Sequence, residues 1–406
     1  MTPVRILRLA TGGDGVGKLE DGRTVFVPRT ATGDLLELDA VREYKRFARG
    51  RPGRLLEPGP DRVEPPCPHY LGDECGGCQL QHLSLSAQQA ARRTFVGDAL
   101  RRLARLDVDD PDLVPASKAF GYRTKVTLAV GRGRTIGFRR YDRPDEIFAL
   151  DRCHIAIPEL MSLWRELRAL LPLLPDDLTR LVLRQDRSGG LHVIARSGVA
   201  MVWAGAPRLR VALSSRGQET TIWWHPEGGA PRAVDGAGDT YPATVFEQIH
   251  PEMGDQVRRF AVEQLGEVAG RRVWDLYAGI GETTAMLAGA GATVESVEMD
   301  RRAVAAAESS GPPARRHAGR VEDILSDLGP PDLVITNPPR LGMDAKVTTA
   351  LERRRPSRLV YVSCDPATLA RDIGRLPSYR VTRARAFDLF PQTAHVETVI
   401  VMDLST

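Results

Sequence analysis

The chain has little cysteine: five residues in 406, an odd number, which argues against a disulfide framework. It has no apolar run near the roughly 18 residues that a membrane span requires; even the leucine-rich stretch 160–174 is broken by Arg165, Glu166 and Arg168. Met1-Thr-Pro-Val-Arg-Ile-Leu7 offers no apolar export core and no small-residue cleavage site,. Internal repeats and low-complexity tracts are missing. So is a charge excess, since 56 basic residues face 52 acidic ones for a net +4, and bulk charge does not announce a nucleic-acid partner. A cytoplasmic monomer with no membrane contact is expected. At this length two or three domains are the expectation.

What is present is segmentation. Residues 1–57 carry short apolar stretches, 23–28 and 35–41, among turn residues such as Gly12, Gly13, Gly15 and Gly17, a pattern that predicts an OB-like β-barrel. A Pro- and Gly-rich linker, 53–68, leads into three clustered cysteines,. A helix is predicted over 86–106, capped by Ser84 or Ser86 and striped by Ala90, Phe95, Ala99, Leu100 and Leu103,. Strand signals near 125–130, 181–184, 191–195, 209–213 and 221–224, interrupted by a helix over 158–174, predict a mostly antiparallel α+β domain.

From residue 251 the rhythm changes. Strands at 272–276, 293–298, 333–336, 359–363 and 396–402 alternate with helices starting near Glu282, Arg301, Gly319 and Pro366, which predicts a parallel sheet covered on both faces. The expected domains are 1–57, 58–250 and 251–406, with the 86–106 helix free to pack on the last. Two basic clusters, one from Arg42 to Arg54 and one comprising Arg132, Arg134, Arg139, Arg140 and Arg143, are candidate phosphate contacts or else solvated faces.

The chemistry is concentrated in the last 160 or so residues. Val273-Trp-Asp275-Leu-Tyr277-Ala-Gly279-Ile-Gly281-Glu282 places a strand before Gly-x-Gly and a helix after it. Thr284 stands where a dinucleotide fingerprint requires a third glycine,. The remaining pattern suits S-adenosylmethionine, which has no pyrophosphate to cradle, and Glu298 at the next strand end suits its ribose hydroxyls. Asn337-Pro-Pro-Arg-Leu-Gly follows a strand, and Cys364 ends the next one in Val362-Ser-Cys-Asp-Pro, so both should border the crevice at the strand ends. Uracil C5 is too weak a nucleophile to take a methyl group unaided. A thiolate added to C6 makes C5 carbanion-like, and a base must afterwards remove the C5 proton. Cys364 is the candidate nucleophile and Glu397 the candidate base. Pro366 marks a helix start whose N-terminus would lower the thiol pKa. A cytosine-specific enzyme would instead carry Pro-Cys. A non-catalytic RNA-binding protein would need neither residue.

The other four cysteines are Cys67, Cys75 and Cys78 in Cys-x7-Cys-Gly-Gly-Cys-Gln-Leu-Gln-His82, and Cys153. Four thiolates suit zinc or an iron–sulfur cluster, although zinc sites more often show two Cys-x2-Cys knuckles and here there is one.

Several runs resemble the RNA uracil-5-methyltransferases: Phe246-Glu-Gln248, Asp275-Leu-Tyr-Ala-Gly-Ile-Gly281, Pro338-Pro-Arg-Leu-Gly342, Val362-Ser-Cys-Asp-Pro-Ala-Thr-Leu-Ala-Arg-Asp372 and Asp388-Leu-Phe-Pro-Gln-Thr-Ala-His-Val-Glu397. The resemblance implies Cys364 as nucleophile and Glu397 as base. It places Gln248, Tyr277, Gly279, Glu282, Glu298, Asp323 and Asn337 at the S-adenosylmethionine site. Arg340 and Gln392 are candidate contacts to the flipped base. Its cluster-bearing subgroup, which acts on 23S rRNA, implies a [4Fe–4S] cluster on Cys67, Cys75, Cys78 and Cys153. It also implies an N-terminal TRAM barrel and a C-terminal Rossmann-like methyltransferase domain, with transfer RNA as the alternative substrate. The chain departs from the resembled pattern at Asn337, where Asp is usual, and at Glu282, where Asn is frequent.

Overall fold

In the computed structural model, residues 3–198, 203–236 and 243–405 are described; positions 1, 2 and 406 of the expected first and last domains lie outside them. Five strands, β1 (Val4–Leu9), β2 (Gly15–Lys18), β3 (Thr24–Val27), β4 (Leu35–Glu43) and β5 (Phe47–Glu57), close a barrel in the order β1-β2-β3-β5-β4. Alternating residues, including Val4, Ile6, Val25, Val27, Leu36 and Leu38, turn inward to form its core, as strand geometry requires. Outside the barrel, Arg29 lies between the rings of Tyr70 and Tyr141, 4.2 Å from each centroid. It donates to the Cys75 carbonyl at 2.6 Å and so fastens the barrel to the cysteine segment.

A one-turn helix, α1 (Pro68–Leu71), follows Cys67, and α2 (Leu85–Arg102) begins at Ser84, whose Oγ accepts from the Ala87 N–H. The stripe of α2 differs from the predicted one. Ala90 is exposed and Leu103 lies past the helix end, while Gln88, Ala91, Arg92, Phe95, Val96, Ala99 and Leu100 are buried. Two polar residues therefore occupy core positions.

The strand β6 (Asp112–Val114) pairs with the C-terminal sheet, described below. The central sheet has seven strands among the described residues: β7 (Lys125–Val130), β8 (Ile136–Arg139), β9 (Ile147–Ala149), β10 (Leu178–Gln185), β11 (Leu191–Ser197), β12 (Thr220–Pro226) and β13 (Arg232–Asp235). All its neighbours are antiparallel except β11 and β12. Helices α3 (Pro158–Arg168) and α4 (Ala206–Ser214) cover one face. Residues 209–213, expected as a strand, are the body of α4. Its first turn holds a proline, and Leu209 and Leu213 share a buried face at helical spacing,.

The C-terminal domain interleaves helices α5 (Pro251–Glu263), α6 (Glu282–Gly289), α7 (Arg301–Ser310), α8 (Val321–Ile324), α9 (Ala345–Arg354) and α10 (Pro366–Ile373) with strands β14 (Arg272–Leu276), β15 (Thr293–Glu298), β16 (Arg315–Ala318), β17 (Leu333–Thr336), β18 (Arg358–Ser363), β19 (Tyr379–Phe387) and β20 (Glu397–Leu404). The sheet order is β16-β15-β14-β17-β18-β20-β19-β6, parallel as far as β18, after which β20 runs antiparallel. Successive residues alternate between two cores. Val273, Ile335 and Val360 face α5, whereas Trp274, Val334 and Tyr361 face α9 and α10 together with Val96 and Leu100 of α2. Hence α2 and β6, early in the chain, complete the last domain. Among the described residues no helix is long and apolar enough to cross a membrane.

Candidate active site

The sheet order brings five chain segments to one edge. Glu298 ends β15, the Tyr277–Gly281 turn follows β14, Asn337 follows β17, Cys364 follows β18, and Glu397 begins the antiparallel β20. This is the crevice at the carboxyl ends of a parallel sheet.

At the end next to β14 and β15 the backbone is bent sharply. Tyr277, Gly279 and Gly281 all have positive φ, at 62°, 57° and 78°. A Cβ at Gly279 would meet nothing within 4 Å, so the turn opens onto free space. Glu298 steadies it, accepting from the Gly279 N–H at 2.9 Å and the Asp300 N–H at 2.8 Å. Asp275 is buried beneath and accepts from the Thr284 hydroxyl at 2.6 Å. Burial pushes its carboxyl up to about 6 against the pull of the Thr284 and Thr283 hydroxyls. The Asn337 N–H donates to the Leu276 carbonyl at 3.1 Å, binding two of the loops together. Asn337 and Asp323 are exposed, and Gln248 and Tyr277 are half-buried. Glu282 is engaged by Arg187 at 2.6 Å and Arg258 at 3.0 Å.

The thiol end is built differently. The last β18–β20 partners are Ser363 and Thr398, so Cys364 comes next to Glu397. Glu397 is 2% exposed and its Oε2 has no hydrogen-bond partner among the described residues. Burial drives its carboxyl up to about 8, opposed by Arg340. Cys364 is pushed up to about 11, first by burial and then by Glu397, with Arg340 opposing. The thiol is raised and not lowered, contrary to the expectation from the helix start at Pro366, because burial outweighs the groups that favour the anion. Asp365 caps α10, accepting from the N–H groups of Ala367 at 3.0 Å and Thr368 at 2.8 Å. Arg340 also stands 3.3 Å from His395.

The loop 388–396 that delivers Glu397 is held by residues that pattern reading missed. Arg92, fully buried in α2, donates to the carbonyls of Thr393 at 2.8 Å, His395 at 3.2 Å and Phe390 at 3.3 Å, and faces Asp388 at 3.4 Å. Gln88 exchanges hydrogen bonds of 3.0 Å with the backbone N–H and side chain of Gln392. Gln392 is buried at φ 70°, and its carbonyl accepts from Gln79 and Leu80 beside Cys78. Its side-chain oxygen therefore helps hold the loop to α2. A charged residue on the buried stripe of a helix was the available signal.

A cleft of about 1020 Å³ joins this edge to the barrel, lined by Arg340 and His395 at one end and Arg42 and Arg49 at the other. Cys67, Cys75, Cys78 and Cys153 all border it. Cys67, Cys78 and Cys153 share an apolar cluster with Tyr70, Tyr122 and Ile155, and the Gly77 N–H donates to the Cys75 sulfur at 3.4 Å. Burial raises the thiols of Cys75, Cys78 and Cys153. Among the described residues no three His, Cys, Asp or Glu side chains converge into a ready-made ion site. His82 is occupied by the Tyr70 hydroxyl at 2.7 Å. Of the basic clusters, Arg51, Arg54, Arg134, Arg140 and Arg143 are in ion pairs within the chain.

A family profile described as tRNA (uracil-5-)-methyltransferase matches residues 309–404. The 23S rRNA (uracil(1939)-C(5))-methyltransferase RlmD of Pseudomonas putida is 32% identical over 98% of this chain and 92% of its own. An uncharacterized RNA methyltransferase of Streptomyces coelicolor is 31% identical over the same shares. The crystal structure of the Pyrococcus abyssi tRNA (uracil-54, C5)-methyltransferase, solved with S-adenosyl-L-homocysteine, superposes with a TM-score of 0.76 at 24% identity, over 98% of this chain and 99% of that one. The fold and these relatives define an RNA methyltransferase. Within that class, the chain belongs to the RNA uracil-5-methyltransferase family.

Proposed function

We propose that the protein transfers a methyl group from S-adenosylmethionine to C5 of a uridine in structured RNA, and that this RNA is 23S rRNA. The observation that carries the reading is the placement of Cys364 beside a buried Glu397, whose Oε2 has no hydrogen-bond partner among the described residues, at the edge that also holds an open glycine turn. The substrate assignment is supported by relatives named as 23S rRNA enzymes that match nearly end to end.

The cofactor would be held by the turn at Gly279, by Glu298, and by Gln248, Tyr277, Asp323 and Asn337, with Glu282 close by. When bound it supplies an electrophilic methyl group. The target base must leave its stack to reach the crevice. Cys364, as thiolate, adds to C6 and places electron density on C5. Once C5 carries the methyl group, Glu397 takes the C5 proton, the ring electrons re-form the C5–C6 bond, and the thiolate departs. A carboxyl pushed up to about 8 is a strong base for its type, matched to that task. The TRAM-like barrel and the arginine-lined cleft would bind the phosphate backbone.

The four cysteines would hold a [4Fe–4S] cluster. Buried thiols around one cavity, with a backbone N–H aimed at sulfur, suit such a ligand set. When bound, the cluster supplies sulfur–iron bonds that cross-link residues 67–78 to Cys153, next to the segment that meets Gln392. Incubating the purified enzyme and labelled S-adenosylmethionine with unmodified 23S rRNA or transfer RNA, then mapping 5-methyluridine, tests the proposal. Product in 23S rRNA is expected. Product confined to transfer RNA corrects the substrate, and none in either overturns the reading.

A further inference from the structure

Arg187 occupies the turn between β10 and β11, in the central domain, yet its guanidinium reaches into the methyltransferase domain. It pairs with Glu282 at 2.6 Å and with Asp255 of α5 at 3.0 Å. Arg258 grips Glu282 from a second side at 3.0 Å and also pairs with Asp255, so two guanidiniums and two carboxylates close a ring. Glu247 lies 3.9 Å from Arg187 and pairs with Arg184 of β10, whose guanidinium donates to the carbonyls of Ala243 and Val245, each at 2.7 Å. Gln248 follows directly and packs over Gly254, where a Cβ would come within 2.8 Å of its own.

Both walls of the cofactor crevice are thus fastened to one strand pair of the central domain. One wall is the glycine turn that Glu282 follows; the other is the arm 246–248. Single exposed ion pairs contribute little. Here the ring is partly desolvated on one side, with the side chains of Arg258 and Glu282 13% and 28% exposed against 40% and 42% for Arg187 and Asp255. It also acts where sub-ångström displacement matters, because Glu282 begins α6 immediately after Gly281,.

We propose that Arg187 is a positioning residue for the cofactor, acting through Glu282 and Glu247, and that Glu282 serves this ring and not the ligand. The inference rests on residues 275–298 forming the cofactor site.

Calorimetric titration with S-adenosylmethionine tests it, using the full chain and its Arg187→Ala, Arg187→Lys, Glu282→Gln and doubly substituted Arg187→Ala/Glu282→Gln variants. The Kd should rise about fivefold or more in both Arg187→Ala and Glu282→Gln. The double variant should be no worse than the poorer single one, and Arg187→Lys should recover part of the loss. Added salt should weaken the wild-type affinity more than that of Arg187→Ala, since it screens the ring. An unchanged Kd in folded Arg187→Ala overturns the proposal. So do additive losses in the double variant, which would put Glu282 on the cofactor. If Arg187→Ala melts early, Asp255→Asn carries the same expectation without touching α6. A wild-type chain that binds no S-adenosylmethionine would instead sink the site assignment.

Discussion

Glu298 and Glu397 stand at the same edge of one sheet, and the protein treats them in opposite ways. Glu298 has both oxygens on backbone N–H groups, so neither acceptor is left without a partner. Glu397 is buried, with one oxygen unpartnered among the described residues and its carboxyl pushed up to about 8. Leaving a buried acid unpaired costs stability, and proteins keep such arrangements where a proton must move. The first end of the crevice is built to hold something, and the second to react.

Removing the nucleophile breaks that division most completely. Cys364→Ala should lower methyl transfer to below about one part in a thousand while its affinity for S-adenosylmethionine, measured by titration, stays as it was. Residual turnover near the wild-type rate would remove the thiol from the mechanism.

Glu397→Gln should lower turnover about 10²–10⁴-fold and accumulate a covalent protein–RNA adduct, seen as a slow band on a denaturing gel. It should also change stability in a direction fixed by linkage. The folded carboxyl lies near 8 against an ordinary 4.5, so its stabilising contribution is complete below about 4.5 and is lost as pH rises through about 8. Melting curves should show Glu397→Gln gaining on the wild type across that window. A constant difference would mean the buried acid is not neutral at rest.

Arg92 sharpens the comparison from behind. Its guanidinium holds three carbonyls of the 388–396 loop and faces Asp388, whose carboxyl burial pushes up and Arg92 draws back down. Arg92→Met takes away the cation that faces that buried acid, which should cost about 3–5 kcal/mol in denaturant titration. A loss under about 1 kcal/mol would show that the loop keeps its place without the guanidinium.

The C-terminal strand ends were legible because each is punctuated: a Gly-x-Gly turn, an Asn-Pro-Pro turn, a Cys-Asp-Pro helix start. Periodicity located β14, β15, β17 and β18 to within a residue at either end. What could not be read was contact between distant segments. Nothing local to Gln88 or Arg92 says that they meet Gln392 and Thr393 some 300 positions on, or that β6 extends a sheet formed by the other end of the chain. Residues 209–213 failed for another reason. Apolar residues at both helical and strand spacing fit either period over so short a run, and only packing decided.

The smallest expected effect concerns Arg340, a cation that opposes burial at both Cys364 and Glu397. Both groups react in their deprotonated forms, so kcat/KM for RNA should climb with pH through the neutral range and on past about 8, because the thiol is pushed up to about 11,. Arg340→Gln removes the attraction that favours each anion, which moves both proton affinities upward. The profile should therefore shift toward higher pH by about half a unit to one unit. The variant should be slowest relative to wild type near pH 6 and draw level as pH rises. A pH-independent deficit would mean that Arg340 contacts the substrate without tuning the pair.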